Sequence, residues 1–285
     1  MEKGKKRLKS AAEKRTFRLV IAYRGTVYQG WQKQAREGGG PTVQELIEKA
    51  VKKITGGKAS PHASGRTDAG VHARAQVAHL RVATHLEPER LLKAINAHLP
   101  DDIRLLSLEE ASPDFHAQLH ASAKTYRYFI LHAPESQHVN WPFLRNFTWF
   151  VTFPLDLGAM QEAARALEGR HDFQSFRNRG TPVPHTIREI HRCVVIEHPL
   201  GSARDFPWMP GPGYEARLLE IRVEGSGFLK QMVRTIAGTL VEIGRGKRTA
   251  SDMGRILSEK NRKAGGITAP PQGLFLDEVS YSKLR

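Results

Sequence analysis

The sequence contains a single cysteine, Cys193, among its 285 residues. One cysteine cannot form an intrachain disulfide, and a zinc site built from several thiolates is excluded. This cysteine usage fits a reducing compartment, so we expect the protein in the cytoplasm. With 40% hydrophobic residues, the chain is long enough to bury one large core or two smaller ones without covalent cross-links.

Long hydrophobic runs are also missing. No apolar segment approaches the roughly 20 residues that a membrane-spanning helix needs. Residues 1–7, with the sequence MEKGKKR, lack the apolar stretch of a secretory signal peptide. We therefore expect a protein that neither spans a membrane nor is exported.

Acidic residues are scarce relative to basic ones, because 29 Asp and Glu stand against 44 Lys and Arg and leave a net charge of +15. Residues 1–15 hold seven basic and two acidic side chains, or +5, so the remaining +10 belongs to the body. A basic folded body indicates a polyanionic partner, and nucleic acid is the leading candidate. The tail over residues 1–15, expected to be disordered, could equally be a solubilising extension.

The most informative motif is GRTDAGVHA at residues 65–73. It places Asp68 at the tip of a turn bracketed by Gly65 and Gly70, with Arg66 two positions before the carboxylate. An aspartate displayed on such a turn beside a guanidinium is a candidate for acid–base or nucleophilic work. We predict that Asp68 is the catalytic residue.

Hydrophobic periodicity predicts a β-α-β-α-β order in the first half. Alternation over Thr16–Tyr23 predicts a half-buried strand. Thr42 followed by Glu45 forms a capping box, and helical spacing up to Ile54 predicts a helix that ends at Gly56. The other predicted elements are a strand near Gln76–Val82, a helix near Pro88–Leu99 and a strand near Ile103–Leu108.

The second half has a similar predicted order. Its predicted elements are strands at Thr125–Leu131, Ile187–Glu197 and Arg217–Glu224, and helices at Asp156–Glu168 and Phe228–Ile243. Segments 112–123 and 198–214 lack periodicity and are predicted to be a linker and a long surface loop. The shared order predicts a duplicated α+β architecture, with halves 16–112 and 113–285 and a cleft between them.

Two further patterns could contact RNA. Tyr126 and Tyr128 are two apart in a predicted strand, so both rings point to one face, where they could stack bases or fill the core. In the predicted helix Phe228–Ile243, Lys230 and Arg234 share the face opposite the apolar stripe. These two basic residues either bind a polyanion or are simply solvated.

Other chemistries are not supported by the sequence. The segment 244–249, GRGKRT, lacks the Gly-Lys-Ser/Thr order of a phosphate-binding loop, and Ser64 lacks the Gly-x-Ser-x-Gly elbow of a serine hydrolase. Thirteen histidines occur without a zinc-binding spacing. We predict no metal site.

Six distinctive sequence blocks lie between Phe17 and Tyr281. They are YxGxxYxGWQ at 23–32, GRTDAGVHA at 65–73, DFHA at 114–117 leading into KTYRY at 124–128, HDFxSF at 171–176, GSGFL and MVR within 225–234, and GL at 273–274. These blocks resemble those of the A family of tRNA pseudouridine synthases, which act on the anticodon stem-loop. One such block would be a weak signal, whereas six in the same order are strong.

The resemblance implies a pseudouridine synthase fold, which is a mixed, largely antiparallel sheet flanked by helices, with two pseudo-symmetric halves and a basic central cleft. It implies that Asp68 is the essential aspartate, that Tyr126 contacts the target uracil, and that Arg234 pairs with the aspartate across the cleft. Arg66 would contact the displaced nucleotide or the backbone. Lys230 departs from the family pattern and is a candidate for substrate binding through the helical face that it is predicted to share with Arg234. Uridines 38 to 40 of tRNA and a homodimer are also implied.

The implied reaction breaks the bond between N1 and C1′, turns the base, and joins C5 to C1′, without redox change or added water. No metal and no cofactor are needed. An ionised Asp68 could attack C1′, abstract a ribose 2′ proton to give a glycal, or add to C6, and the sequence leaves these routes open. Arg234 nearby would favour the ionised carboxylate. Readings from other classes are a non-catalytic tRNA-binding protein or chaperone and a metal-dependent nuclease.

Overall fold

The computed structural model of the protein describes residues 13–33, 40–134, 142–178, 180, 183–198 and 216–282. Its strands are β1 Lys14–Tyr23, β2 His62–Ala63, β3 His72–Ala83, β4 Ile103–Ala111, β5 Ala121–His132, β6 Trp149–Val151, β7 Gly169–Asp172, β8 Ile187–His198, β9 Arg217–Gly225 and β10 Leu274–Tyr281. Its helices are α1 Val43–Thr55, α2 Pro88–Asn96, α3 Leu157–Arg165, α4 Met232–Gly244 and α5 Asp252–Glu259.

One sheet connects the whole fold, with the strand order β4-β1-β3-β10-β5-β9-β8-β7. Two short strands lie off this path, since β2 pairs with β3 and β6 with β5. Neighbouring strands are antiparallel except for β3 with β10 and β5 with β6. The predicted α+β class with a mixed, largely antiparallel sheet is confirmed.

The same topology occurs twice along the chain. The first half runs β1-α1-β3-α2-β4 with the spatial order β4-β1-β3, and the second runs β5-α3-β9-α4-β10 with the order β10-β5-β9. In each half the first strand lies between the other two, while β6, β7, β8 and α5 are additions to the second half. The halves meet where β10 pairs with β3. The predicted boundary at residue 112 falls in the connection between β4 and β5.

Helix α1 shows how local sequence sets an element. Thr42 is its N-cap, and the Thr42 hydroxyl oxygen accepts a hydrogen bond from the Glu45 amide at 3.3 Å. Gly56 ends the helix in the left-handed conformation, with φ of 72°. Between these caps the helix buries one apolar face, which includes Val43, Ile47 and Val51. The predicted helix is therefore confirmed.

The prediction for residues 228–243 is wrong at its start, because α4 begins only at Met232. Gln231 has φ of 59°, a left-handed conformation that a helix cannot continue through, and Phe228 packs against Tyr126 instead. Lys230 therefore lies outside the helix. The helical face that Lys230 and Arg234 were predicted to share does not exist.

Two other boundaries also differ from the predictions. Strand β1 begins at Lys14, and Arg15 pairs with Glu110 of β4, so the last two residues of the predicted tail belong to the sheet. Residues 1–12 and 199–214 of the predicted tail and loop lie outside the described residues. Among the described helices, none has the length and apolar character needed to cross a membrane.

Candidate functional site

The turn that carries Asp68 connects β2 to β3 and is held by hydrogen bonds from the first sequence block. The Trp31 amide donates to the Thr67 carbonyl at 3.1 Å, and the Tyr23 and Thr67 hydroxyls are 2.7 Å apart. Within the turn, the Val71 amide donates to the Asp68 carbonyl at 3.2 Å. These bonds fix the backbone on both sides of Asp68.

Two glycines allow the chain to approach this turn closely. Gly30 has φ of 81°, and a Cβ added there would lie 2.4 Å from the Thr67 carbonyl oxygen and 2.9 Å from the Asp68 carbonyl carbon. Gly70 also has positive φ, at 78°. Only glycine adopts these conformations without strain. The glycines of two separate sequence blocks therefore shape one turn.

Asp68 and Arg234 form a hydrogen-bonded pair although they are 166 residues apart in the sequence. A terminal nitrogen of Arg234, in the first turn of α4, donates to Oδ2 of Asp68 at 3.2 Å. The Arg234 Nε donates to the Ala269 carbonyl at 2.8 Å, and the Ala269 amide donates back to the Arg234 carbonyl at 3.0 Å. The Asp68 side chain is 28% exposed and that of Arg234 is 11% exposed. The carboxylate is thus oriented but still accessible to a substrate.

Tyr126 lies on β5 beside this pair. It is only 7% exposed, and its ring packs edge-on against Phe228 with the ring centroids 5.0 Å apart. Burial raises the pKa of Tyr126, and the nearby Tyr23 and Asp68 raise the pKa further. Its hydroxyl forms no hydrogen bond with any described residue. Tyr126 is therefore a neutral hydroxyl that remains available as a hydrogen-bond donor to a ligand.

Tyr128, on the same face of β5, has a different environment. It is fully buried, and its hydroxyl donates to the Pro270 carbonyl at 2.8 Å. Burial raises the pKa of Tyr128 too, although the charge of Arg234 opposes the shift. Tyr128 thus fills the core and holds the segment next to Ala269. Periodicity placed both rings on one face but could not distinguish the available ring from the core ring.

Arg66 and Lys230 are not brought into the Asp68 cluster by direct contacts. Both side chains are exposed, and neither forms a hydrogen bond or ion pair with another described residue. Lys230 precedes α4, and its aliphatic chain lies near Gly180. The two cations are therefore free to contact a polyanion.

Lys124 lies at the start of the Asp68 turn, although the sequence reasoning did not single it out. It precedes Tyr126 by two positions on β5 and therefore points to the same face. Its amine lies 3.6 Å from where a Cβ of Gly65 would be, at the start of the Asp68 turn. Burial lowers the pKa of Lys124, and the charge of Arg188 lowers it further. The alternation in KTYRY was the signal that could have identified it.

Two buried histidines of β3 act as hydrogen-bond acceptors. Nδ1 of His72 accepts from the Gly25 amide at 3.0 Å, and Nδ1 of His79 accepts from the Ala117 amide at 3.2 Å. Burial lowers the pKa of each to about 4. A protonated Nδ1 cannot accept a hydrogen bond, so both rings must be neutral for these contacts to exist.

We expect the folding stability to fall as the pH drops from about 6.5 to about 4. The unfolded chain binds protons at His72 and His79 near the ordinary pKa of 6.5, whereas the folded protein binds them only near 4. Stability is therefore full above pH 6.5 and declines by up to about 1.4 kcal/mol per pH unit for each histidine. Urea unfolding at pH 7.5, 6 and 5 measures this slope. In His72→Asn, the side-chain amide oxygen can still accept the hydrogen bond from Gly25. The pH dependence of the unfolding free energy should therefore decrease by about one proton. An unchanged pH dependence would contradict the assignment of His72 as a neutral acceptor.

No group of three or more His, Cys, Asp or Glu side chains within the described ranges could hold a metal ion. The cluster around Asp68 instead consists of one carboxylate, one guanidinium and one neutral phenol. These groups can orient a nucleotide, transfer a proton or act as a nucleophile.

The chain as a whole matches a known protein family. The family model described as tRNA pseudouridine synthase matches residues 19–119 and 163–282. The chain is 42% identical over 265 residues to tRNA pseudouridine synthase A of Syntrophotalea carbinolica, which covers 93% of this chain and 96% of that relative. It is 43% identical over 264 residues to tRNA pseudouridine synthase A of Shouchella clausii, with 92% of each chain covered. The chain therefore belongs to the tRNA pseudouridine synthase family and is an isomerase that converts uridine to pseudouridine in tRNA.

Proposed function

We propose that the protein isomerises uridines 38 to 40 in the anticodon stem-loop of tRNA, with Asp68 as the catalytic carboxylate. The observation that carries this proposal is the Asp68–Arg234 pair beside Tyr126. A carboxylate beside a buried phenol, oriented by a guanidinium from the other half of the chain, is an arrangement that suits a base and its ribose.

In this proposal Arg234 has two tasks. Its positive charge compensates the charge of the Asp68 carboxylate when the target nucleotide covers the pair and excludes water. Its second hydrogen bond, to the Ala269 carbonyl, restricts the guanidinium to one orientation. Asp68 could then attack C1′, take a ribose 2′ proton or add to C6, and all three routes begin with the same ionised carboxylate.

The stem-loop uridine is stacked, so it must be extruded before it can reach Asp68, at a cost of a few kcal/mol. Contacts between cations and phosphates can offset this cost. We assign such contacts to the exposed Arg66 and Lys230 and to Lys124 at the edge of the turn. Tyr126 would stack on or hydrogen-bond to the extruded uracil.

We further propose that the protein acts as a homodimer in the cytoplasm. The six sequence blocks shared with the A family support the dimer, and the single cysteine supports a reducing compartment. Leu119 and Leu106 are 74% and 54% exposed, which leaves apolar surface that a second copy could cover. Light scattering coupled to size exclusion tests the dimer, and a mass of one chain would contradict it.

Undermodified tRNA, incubated with the protein in the absence of divalent ions and mapped for pseudouridine, tests the proposed activity. New pseudouridine at positions 38 to 40 is expected. Bound but unchanged RNA would instead indicate a non-catalytic tRNA-binding protein. Cleavage that occurs only after divalent ions are added would indicate a nuclease.

Tyr126→Phe isolates the role of the phenolic hydroxyl. We expect kcat to fall by about tenfold with little change in tRNA affinity, because the ring remains packed against Phe228 while one hydrogen bond worth about 1 kcal/mol is lost. Single-turnover kinetics and filter binding measure the two effects separately. Near-normal activity would reduce Tyr126 to a stacking role.

Lys124→Gln tests the phosphate contact. We expect weaker tRNA binding and a dependence of log Kd on log salt that is shallower by about 0.7 to 0.9, the value for one phosphate contact. Lys52→Gln, which removes one exposed charge from α1, is the matched control and should leave the slope nearly unchanged. Equal slopes for wild type and Lys124→Gln would remove Lys124 from the RNA interface.

A further inference from the structure

Helix α4 begins in an unfavourable conformation, three residues before Arg234. Gln231, its N-cap, is one of only two non-glycine residues with positive φ in the described part of the chain. Its side chain forms no capping hydrogen bond to the helix. A left-handed non-glycine residue costs free energy and persists only where its surroundings hold it. The surroundings of Gln231 therefore determine where α4, and with it Arg234, begins.

Asn178 holds Gln231 from outside the helix. Its backbone amide donates to the Lys230 carbonyl at 3.2 Å, and its side-chain amide donates to Oε1 of Gln231. The same side-chain nitrogen donates to the Thr268 hydroxyl at 2.9 Å. Asn178 thus joins the start of α4 to the segment that contains Ala269, whose carbonyl accepts from Arg234.

Arg262 completes the network. Its Nε donates to Oδ1 of Asn178, and one terminal nitrogen donates to the Thr268 hydroxyl at 3.0 Å. The other terminal nitrogen donates to the carbonyls of Gly266 at 2.9 Å and Gly265 at 3.3 Å. The Arg262 side chain is half-buried, and this burial lowers its pKa although the charge of Glu242 opposes the shift. Within the described residues Arg262 has no ion pair shorter than 4 Å, and its interaction with the Glu242 carboxylate is a longer-range one that raises its pKa.

We propose that Arg262 is a positioning residue, which keeps Arg234 against Asp68 without touching the substrate. It acts through Asn178 on the start of α4 and through Thr268 on the carbonyl of Ala269. Arg234 is therefore held at both its backbone and its Nε by groups that Arg262 orders. This inference rests on the proposed role of Arg234 in the isomerisation.

Arg262→Lys tests the inference, because a single ammonium cannot reproduce the planar fork that reaches Asn178, Thr268 and Gly266 together. We expect kcat to fall about tenfold while KM and tRNA affinity change less than twofold. Thr268→Val, which removes only the shared hydroxyl, should lower kcat in the same direction by a smaller factor. Circular dichroism and thermal unfolding of each variant ensure that rates are compared per folded protein.

A double-mutant cycle separates positioning from general loss of structure. In an Arg234→Lys background, Arg262→Lys should cause no further loss of kcat, because the group that it positions is already displaced. Arg248→Lys is the matched control: Arg248 also donates to the 261–266 segment, at the Ala264 carbonyl, but has no contact with Asn178 or Thr268. It should retain wild-type kcat.

The outcomes distinguish this inference from the proposed function. A wild-type protein that forms no pseudouridine overturns the function itself. An active wild type with unchanged kcat in Arg262→Lys overturns the inference alone. Independent, multiplicative losses from Arg262→Lys and Arg234→Lys also overturn it, since they would show that Arg262 does not act through Arg234.

Discussion

Asp68→Asn is expected to abolish pseudouridine formation while tRNA binding stays within about threefold of wild type. Asparagine keeps the shape of the side chain and an oxygen that can accept from Arg234, but it has no charge with which to attack carbon or take a proton. We expect the rate to fall by about 10⁴-fold or more. Single-turnover formation of pseudouridine, with binding measured in parallel, checks both parts.

Asp277→Asn provides the matched control for this variant. Asp277 is also a partly exposed aspartate that accepts from an arginine, Arg74, at 2.7 Å. It also lies 3.9 Å from Arg127, which points to the face of β5 opposite Tyr126. The control should keep wild-type activity. Wild-type turnover by Asp68→Asn would contradict the catalytic role of Asp68.

Arg234→Met is expected to lower kcat by about 100-fold, the second-largest effect. It removes the opposite charge beside Asp68 and the hydrogen bond to Ala269, and loss of one partner of a partly buried pair leaves the other uncompensated. A hundredfold loss corresponds to about 2.7 kcal/mol of transition-state stabilisation. Measurement of kcat for both proteins at saturating tRNA checks this prediction.

Arg234→Lys separates charge from geometry at the same position. Lysine restores the charge but offers one nitrogen where arginine offers a fork. We expect kcat about tenfold below wild type, which lies between wild type and Arg234→Met. Equal rates for all three proteins would show that Asp68 works without its partner.

Elements with local signals were the ones that the sequence could predict. Helix α1 has its N-cap at Thr42, its C-cap at Gly56 and an apolar stripe between them, and all three signals lie within 15 residues.

Strand β10 was not predicted, although it lies at the centre of the sheet. Its pairing with β5 shifts register between Leu276 and Glu278, and this irregularity disturbs the alternation by which strands are recognised.

The start of α4 shows the opposite failure. Apolar residues continue at helical spacing from Phe228, so periodicity predicts a helix through Gln231. The break there is imposed by Asn178, which lies 53 residues earlier in the chain. A tertiary hydrogen bond of this kind overrides the local hydrophobic periodicity, and the periodicity alone cannot predict it.

The site itself could be predicted only in part. The GRTDAGVHA turn indicated a functional aspartate from local residues alone, whereas the partnership with Arg234 came from resemblance to the family. Asp68 and Arg234 are brought together because their two halves share one sheet through β3 and β10. The pattern of either half by itself contains no information about that contact.

Release of tritium from C5 of uridine tests the central claim most directly, because isomerisation replaces the C5–H bond by a bond to C1′. The substrate is a tRNA whose only uridines labelled at C5 are at positions 38 to 40. Wild-type protein should release tritium in proportion to the pseudouridine formed, and Asp68→Asn should release none above background. Absence of release by wild type, or equal release by both proteins, would contradict the account.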